Sequence, residues 1–387
     1  MNTLCRGIIT LIKSAVIQQA LELPADFSLE EAYPQIRRHS LIALAYDGAV
    51  RCGISRQEPV MQKLFAGYIR SMQISEGQMK QVSRICQTFD ENGIDYMPLK
   101  GCNMKAMYPA PELRTMGDAD ILIRMEQYEK IVPLMEGLEF QHELESDHEL
   151  IWKHPSLYLE LHKRVIPSYN NDYYAYFGDG WRLARLERGT RYRMDPEGEL
   201  IYELTHFAKH FRDGGIGCRH VTDLWLLRRQ EKLDWDLIRG ELEKLRLLEF
   251  WENISGLIDL WFEAGEENEL SAFLTEYIFA SGNWGQMEER FLSLLLRKER
   301  KDPNHTKPTG YILARLFPSA ETMKQKYTFL EKAPWLLPAV WAYRPMKKLL
   351  FERRDLKRQT DNLKLVTEEK VEGKRAMLRS VGLDFNF

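Results

Sequence analysis

The 387-residue chain lacks several features that would place it at once in a common class of protein. Its five cysteines are odd in number, widely scattered and without a C-x-x-C pair, which excludes a zinc ribbon and argues against a disulfide framework. No run reaches the roughly 18 apolar residues that a membrane-spanning helix needs. A formal net charge of −3 leaves no overall positive field to hold DNA or an anionic membrane. There is also no internal repeat and no low-complexity tract.

The composition is that of an ordinary globular protein, with 44% hydrophobic and 29% charged residues. A chain of this length is expected to form two or three packed units. The first two dozen residues carry Arg6 and Lys13 within their apolar run, which predicts an amphipathic helix rather than a signal peptide. We therefore expect a soluble, reduced, cytoplasmic protein.

Apolar spacing divides the chain into three predicted regions. In residues 1–93 apolar positions recur every three or four residues, the period of one helical face, and Asn92-Gly93 ends the last helix. In residues 94–167 helical segments alternate with short apolar runs, which predict strands at 94–99, 118–123, 148–153 and 157–165. Residues 168–387 return to helical spacing. The helices predicted there are 197–211, 218–229, 235–247, 249–263, 270–279, 287–298 and 306–316.

These regions predict an α+β fold that is mostly helical overall. A small mixed β-sheet in residues 94–167 would be flanked by an N-terminal helical region, 1–93, and a C-terminal one, 168–387, with a basic tail. The sheet is the part of the chain in which polar residues interrupt an apolar pattern, so it is where a functional site is expected.

Two aspartates open one of the predicted strands. Asp118 and Asp120 are two residues apart, so a strand would present their carboxylates on one face, with Cα atoms about 6.6–6.8 Å apart. Glu160 and His162 share a face of a later strand by the same alternation. If the two strands are neighbours, the three acids could hold divalent cations such as Mg²⁺, a pair of them about 3.5–4 Å apart. Exposed acids that merely cap a strand would explain D-x-D equally well.

The run LKGCNMKAMYPAPELRTMGDADILI, residues 99–123, resembles one branch of the nucleotidyltransferase (polymerase beta-like) superfamily. That branch is a less-studied bacterial nucleotidyltransferase family with the pattern LKG…YP…R…D-x-D. The downstream pieces LELH, HFAKH and RHVTDL are similar to it as well, so that the resemblance covers about residues 35–350. In one respect the chain departs from the wider superfamily, which usually has Gly-Gly or Gly-Ser at the turn where this sequence has Gly101-Cys102.

The resemblance implies a nucleotidyltransferase core in residues 94–167 and a role for each motif residue. Asp118 and Asp120 would ligate Mg²⁺ or Mn²⁺, and Glu160 would be a further metal ligand or the base toward the acceptor hydroxyl. The residues implied to bind the nucleotide, an NTP such as ATP, are Lys100, Gly101, Cys102, Arg114 and Gly117. The residues themselves leave two alternatives open: a solvated lysine at a strand end for Lys100, and for Arg114 a structural ion pair with Asp118 or Asp120.

Several histidines follow the acidic strands. His206 and His210 are four residues apart on a predicted helix and share its face, and Asp223 lies on the next helix. A zinc site is one interpretation, although the glutamate of a metalloprotease motif is missing between the histidines. The pattern favours a polar contact between the helical region and the sheet. Together with His162, these residues are candidates for the acceptor side of the site.

The sequence therefore predicts a metal-dependent nucleotidyltransferase that moves a nucleotide from an NTP to the hydroxyl or phosphate of an unidentified acceptor. The acceptor could be a small molecule or a polymer, and no DNA is expected. Two alternatives stay open: a nucleotide-binding or regulatory protein of the same fold with weak or no turnover, and an interaction scaffold. The basic segment 344–358 predicts a solvated helix and, as an alternative, peripheral contact with an anionic membrane or RNA.

Overall fold

The computed structural model describes residues 1–283, 333–341 and 368–383, with scattered single positions between 285 and 343. The described residues group into two compact units, the larger within 1–211, 215–285 and 381–387, the smaller within 212–214 and 286–380. The predicted helices 287–298 and 306–316 and the basic segment 344–358 fall wholly or largely outside the described residues. The division of the chain at residues 93 and 167 stays a prediction.

The N-terminal region is helical, as its apolar spacing predicts. The Asn2 side chain accepts a hydrogen bond from the backbone N–H of Cys5, which caps the first helix. The long fourth helix has Pro59 in its first turn and is followed by Gly93 in the left-handed conformation, with φ +66°. The helices are α1 (Thr3–Ile17), α2 (Leu29–Arg38), α3 (Ile42–Arg51) and α4 (Pro59–Glu91).

A mixed sheet of seven strands follows, in the order β3-β4-β5-β2-β1-β7-β6. Strand β2 pairs antiparallel with β1 and parallel with β5, and β1 pairs parallel with β7. The strands are β1 (Tyr96–Leu99), β2 (Ala119–Ile123), β3 (Gln141–Glu145), β4 (Glu149–His154), β5 (Leu157–His162), β6 (Ala184–Arg188) and β7 (Arg191–Met194). The predicted class is confirmed: the protein is α+β, with a mixed sheet, and mostly helical.

Three strands differ from the sequence prediction. The apolar pattern predicts no regular element at β3, and β6 and β7 lie within 168–387, the region predicted to be helical. All five residues of β3 are exposed, and β6 has four exposed residues, so neither strand carries the apolar alternation on which the prediction depends. Both are edge strands, whose charged side chains face solvent.

One face of the sheet carries the hydrophobic core. Residues of β2 at alternate positions, Ala119, Ile121 and Ile123, belong to a buried cluster that includes side chains of α4 and of α6 (Tyr128–Gly137). Leu159 and Leu161 of β5 belong to the same cluster. Because strand side chains alternate, residues 120 and 122 of β2 and 160 and 162 of β5 face the opposite side of the sheet. The polar residues of both strands therefore share one face.

Helices form most of the remaining described chain. No described helix combines the length and the apolar character needed to cross a membrane. In the smaller unit, helix Glu368–Ser380 carries Lys374, whose Nζ pairs with Glu289 at 2.6 Å. The helices of the larger unit after the sheet begins are α5 (Gly101–Met104), α6, α7 (Asn171–Phe177), α8 (Pro196–Asp213), α9 (Cys218–Arg228), α10 (Trp235–Lys244), α11 (Leu248–Phe262) and α12 (Glu269–Ser281).

Candidate active site

The parallel pairing of β2 and β5 brings an acidic pair and a histidine together. Asp120 lies opposite Glu160 in the register of the two strands, and His162 is two residues further along β5. Ligand atoms of these three residues all lie within 4.8 Å of one another. The arrangement follows from strand alternation: the apolar residues between them enter the core on the other face. This cluster, Asp120, Glu160 and His162, is called the β2–β5 cluster below.

His162 connects the two carboxylates. Its Nε2 donates a hydrogen bond to Oδ1 of Asp120 at 2.8 Å and lies 3.4 Å from Oε2 of Glu160. Burial by itself would lower the pKa of His162, and so does the Lys100 charge, but the hydrogen bonds to Asp120 and Glu160 raise it above its ordinary value. The ring is 2% exposed, and its Nδ1 has no hydrogen-bond partner among the described residues. The imidazole thus holds the acids of two strands in a fixed relation.

Lys100 reaches the same aspartate from the end of β1. Its Nζ donates to Oδ1 of Asp120 at 2.6 Å, and the two side chains are 16% and 4% exposed. Burial alone would raise the pKa of Asp120, but the Lys100 ammonium and the His162 ring hold it well below its usual range. The alternative of a solvated lysine at a strand end is therefore wrong. The implied role in nucleotide binding stays a prediction.

Asp118 stands just before β2 and is half-buried. Partial burial, together with the charges of Asp120 and Glu160, raises the pKa of its carboxyl to about 6, against a smaller opposing effect of Lys100. Asp118 is not one of the three residues whose ligand atoms lie within 4.8 Å of one another, so it is not part of the β2–β5 cluster. The charges of Asp120 and Glu160 nevertheless contribute to the raised pKa of Asp118, after the larger effect of burial.

Arg114 forms a buried ion pair with Asp223, which lies 109 positions further along the chain. Its Nη2 donates to Oδ2 of Asp223 at 2.9 Å and its Nε to Oδ1 at 3.2 Å, while the Tyr108 hydroxyl donates to the same Oδ1 at 2.7 Å. The Arg114 and Asp223 side chains are 5% and 2% exposed. The alternative of an ion pair of Arg114 with Asp118 or Asp120 is wrong, because Asp223 of α9 is the partner. Nucleotide binding by Arg114 stays a prediction.

The turn after β1 is shaped by close packing. A Cβ atom on Gly101 would lie 2.8 Å from both Nη1 of Arg114 and Cγ of Met116, so a glycine lets the turn approach the connection between β1 and β2. Burial, reinforced by the charge of Asp120, raises the pKa of the Cys102 thiol to about 12. The thiol is therefore neutral and is no nucleophile near pH 7. Gly117, just before the aspartates, is exposed.

Helix α8 contributes polar residues that sequence reasoning missed. Tyr202 and Glu203 are 1% and 5% exposed, and the Tyr202 hydroxyl and Oε1 of Glu203 have no hydrogen-bond partner among the described residues. Burial raises the pKa of Glu203 to about 8, and it raises that of Tyr202 as well, despite the nearby Lys100 charge. Both residues precede His206 by one helical turn, and that spacing is the signal that could have identified them.

The predicted histidine pair also lies on α8. The rings of His206 and His210 have centroids 4.3 Å apart. Burial lowers the pKa of His206 well below its ordinary value, so the ring is neutral near pH 7. Among the described residues, His206, His210 and Asp223 do not form a group with metal-ligand spacing, whereas the β2–β5 cluster does. Their acceptor-side role stays a prediction.

Residues 25–263 match a protein-family model described as an uncharacterised nucleotidyltransferase. The match covers more than half of the chain and includes every strand of the sheet and helices α8 and α9. The chain therefore belongs to this nucleotidyltransferase family. Comparison with curated proteins finds no match, and comparison with solved structures finds none either. The predicted nucleotidyltransferase family is thus supported, whereas the motif pattern of the predicted branch and the roles assigned to single motif residues stay predictions.

Proposed function

We propose that the protein is a metal-dependent nucleotidyltransferase that moves a nucleotide from an NTP, such as ATP, to a hydroxyl or phosphate oxygen of an acceptor. Family membership supports nucleotidyl transfer in general. The observation that carries the proposal to this site is the β2–β5 cluster, whose donor atoms lie within 4.8 Å of one another beside Asp118.

The donor set fits a divalent cation. Carboxylate oxygens are the ligands that Mg²⁺ and Mn²⁺ prefer. The raised pKa of Asp118, about 6, reflects partial burial and neighbouring carboxylates, an excess of negative charge that a bound cation would relieve. In this proposal Asp118, Asp120 and Glu160 hold the metal. The bound ion would supply charge neutralisation and orientation of the phosphate oxygens.

Side chains of the protein would perform the other steps: proton removal, phosphate binding and positioning of the carboxylates. In the transfer, an acceptor oxygen forms a bond to the α-phosphorus while the bond to the bridging oxygen breaks, and pyrophosphate leaves with that electron pair. Glu160, if it is not occupied as a ligand, takes the proton of an acceptor hydroxyl. Lys100 supplies positive charge to the phosphates, and His162 keeps Asp120 and Glu160 in their mutual position.

The acceptor would lie toward α8, the polar helix that faces the same charges. Electrostatic interactions link Tyr202 with Lys100, Asp120 and Glu160, which supports a location of α8 beside the metal-binding residues. His206 and His210 lie further along the same helix, with ring centroids 4.3 Å apart. Asp223 would not contact the acceptor itself, because its carboxylate accepts hydrogen bonds from Arg114 and Tyr108. It would position the connection that leads to the aspartates. The acceptor is a small molecule or a polymer other than DNA.

Labelled nucleotides test the proposal. Wild-type protein is incubated with [α-³²P]ATP, and in parallel with the other three NTPs, in the presence of Mg²⁺ or Mn²⁺, with water, the protein itself and a small-molecule cell extract as acceptors. We expect metal-dependent release of pyrophosphate together with transfer of the α-label. Asp120→Asn should abolish both, whereas Lys153→Met, a change of an exposed lysine of β4, should leave them unchanged. Release that persists undiminished in Asp120→Asn would contradict the proposal.

A regulatory protein of the same fold is the second candidate. The Cys102 thiol, held neutral, stands where the superfamily usually has glycine or serine to help hold a phosphate. This alternative predicts that equilibrium dialysis detects NTP binding while no acceptor receives the label. Absence of both binding and release would contradict both candidates.

A further inference from the structure

The acidic site already contains a cation of its own. Nζ of Lys100 lies 2.6 Å from Oδ1 of Asp120, the same oxygen that accepts a hydrogen bond from Nε2 of His162 at 2.8 Å. The Lys100 and Asp120 side chains are 16% and 4% exposed, so water screens their attraction only weakly. The ammonium also interacts with the charge of Glu160. Lys100 thus balances the negative charge that a metal ion would otherwise balance.

The backbone of Lys100 supports a specific use of this side chain. The residue has φ +46° and ψ −119°, a region in which residues other than glycine are strained. A glycine at this position would relieve the strain. The residue is nevertheless a lysine whose ammonium pairs with the buried Asp120, which supports a role for the side chain itself.

A divalent ion and this ammonium would compete for the negative charge of Asp120. Oδ1 of Asp120 already accepts two hydrogen bonds, one from each of two basic side chains. An ion bound to Asp120 and Glu160 would lie next to the ammonium, and like charges repel strongly where water is excluded. Movement of Lys100 away from Asp120 would therefore strengthen metal binding by that carboxylate. Its flexible four-carbon stem allows the ammonium to move toward the phosphates of a nucleotide.

We propose that Lys100 is an exchangeable counter-ion that makes metal binding depend on nucleotide binding. Without nucleotide, Lys100 pairs with Asp120 and weakens the binding of divalent cations at the site. With nucleotide, the triphosphate takes the ammonium, and Asp120 becomes free to act as a ligand. The proposal rests on the proposed function in one respect, because it takes Asp120 as a metal ligand. It goes further by assigning an order of binding and the residue that enforces it.

Binding of Mn²⁺ to the full chain tests the exchange. The fraction of free Mn²⁺ is measured by its electron paramagnetic resonance signal, first without nucleotide. We expect Lys100→Met to bind Mn²⁺ at least about ten-fold more tightly than the wild type, because the competing charge is gone. The matched control is Lys153→Met, which removes an exposed lysine from β4 of the same sheet and should change the affinity by less than about two-fold.

The same titration with a non-reactive nucleotide should strengthen Mn²⁺ binding by the wild type far more than by Lys100→Met. The α,β-methylene analogue of ATP carries the triphosphate but cannot release pyrophosphate. It should raise the Mn²⁺ affinity of the wild type by at least about ten-fold. The Mn²⁺ that the analogue binds by itself in buffer is measured separately and subtracted. For Lys100→Met the gain should be less than about three-fold, because no ammonium has to be moved. A lysine that only stabilised the fold would not both raise the Mn²⁺ affinity of the nucleotide-free variant and reduce the gain that the analogue gives it.

A second variant protects the test against loss of folding. Lys100→Gly removes the side chain and also suits the positive φ of this position, so the turn can keep its shape. It should bind Mn²⁺ without nucleotide as tightly as Lys100→Met. Added Mn²⁺ should also raise its melting temperature by more than it raises that of the wild type.

Two results would overturn the proposal, and they differ in what else they affect. If both Lys100 variants bind Mn²⁺ without nucleotide no better than the wild type, while the wild type with the analogue binds it, the exchange is wrong and the proposed function is unaffected. If Mn²⁺ fails to bind the protein in every arm, including wild type with the analogue, the metal-dependent function is contradicted as well.

Discussion

The balance of charge around Asp120 is the central feature at the level of single residues. Its carboxylate is held by Lys100 at 2.6 Å and by His162 at 2.8 Å, and Glu160 of the neighbouring strand lies within reach of the same imidazole. The pKa of the Asp118 carboxyl, by contrast, is raised to about 6 by partial burial and by the adjacent acids. The two aspartates of one D-x-D pair therefore have opposite electrostatic environments.

Replacement of Asp118 should make the metal-free protein more stable while abolishing transfer. Its pKa of about 6 in the folded protein lies above the value of roughly 3.9 in an unfolded chain. The folded state therefore keeps a proton that the unfolded state loses as the pH rises through this window, so stability falls between about pH 4 and 6. An asparagine side chain does not titrate. Asp118→Asn should raise the free energy of unfolding by about 1–2 kcal/mol near pH 7.5, after allowance for solvent screening.

Urea unfolding at about pH 7.5 and pH 4 checks this, and the gain should disappear at the lower pH. Asp26→Asn, a change of an exposed aspartate, is the control and should alter stability by less than about 0.5 kcal/mol. A marked loss of stability in Asp118→Asn at the higher pH would show that the carboxylate has a structural role instead.

At the level of elements, the site depends on a contact between the β1–β2 connection and α9. Arg114 and Tyr108 of that connection both donate to Asp223, and Arg219 of α9 donates to the backbone oxygen of Thr115 at 2.8 Å. Lys105 adds support within the connection: its Nζ donates to the backbone oxygen of Arg114 at 2.8 Å. The connection leads directly into β2, so these contacts determine where Asp118 and Asp120 stand.

Removal of Arg114 should therefore be costly. Arg114→Met leaves Asp223 buried without its cation, and we expect a loss of about 3–5 kcal/mol in the free energy of unfolding. The comparison is Lys63→Met, which breaks an exposed pair with Glu30 whose side chains are 49% and 61% exposed and should cost about 0–1 kcal/mol. Chemical denaturation of both variants measures the difference.

A double variant identifies the cause of that loss. Arg114→Met combined with Asp223→Leu removes the uncompensated charge, and it should be more stable than Arg114→Met alone. Equal stability of the single and double variants would mean that lost packing, rather than an unpaired buried charge, explains the effect.

At the level of the whole larger unit, His39 joins segments that are far apart in sequence. The ring is fully buried; its Nε2 donates to the backbone oxygen of Phe279 at 3.1 Å, and its Nδ1 accepts from the backbone N–H of Cys218 at 3.3 Å. Both nitrogens are used only in the neutral ring, since Nδ1 must keep its lone pair. The residue therefore ties the end of α2 to α12 and to the start of α9.

Acidification should weaken the protein through this residue. Burial lowers the pKa of His39 to about 4, below the value of 6.5 expected in the unfolded chain. The unfolded state thus takes up a proton first as the pH falls, and stability is lost between about pH 6.5 and 4, by up to about 1.4 kcal/mol per pH unit for one histidine. His206 and His220, whose pKa values burial also lowers, should add to the slope.

Unfolding free energies of wild type and His39→Gln between about pH 7.5 and 5 check this. Glutamine keeps a donor and an acceptor but does not titrate. The unfolding free energy of the variant should therefore fall less steeply with decreasing pH than that of the wild type, by the contribution of one histidine. An unchanged slope would contradict the assignment.

Local sequence pattern was sufficient for much of this architecture. Short apolar runs identified the strands of Asp120 and of Glu160. The alternation of strand side chains predicted that Glu160 faces away from Leu159 and Leu161, because it is a property of a few consecutive residues. The helical period likewise predicted α8 and α9 to within a few residues. It did not reveal β3 or β6, whose exposed, charged residues carry no apolar signal.

Packing in three dimensions decided which of these side chains meet. For Arg114 the sequence left nucleotide binding or an ion pair with a nearby aspartate open. The residue pairs with Asp223 instead of those aspartates, since a buried guanidinium is stabilised by whichever carboxylate the folded helices bring near. Lys100 was expected to be solvated or bound to nucleotide and is paired with Asp120. Such pairs join residues with no common local pattern, and their energies depend on burial and distance, quantities that exist only once the chain is folded.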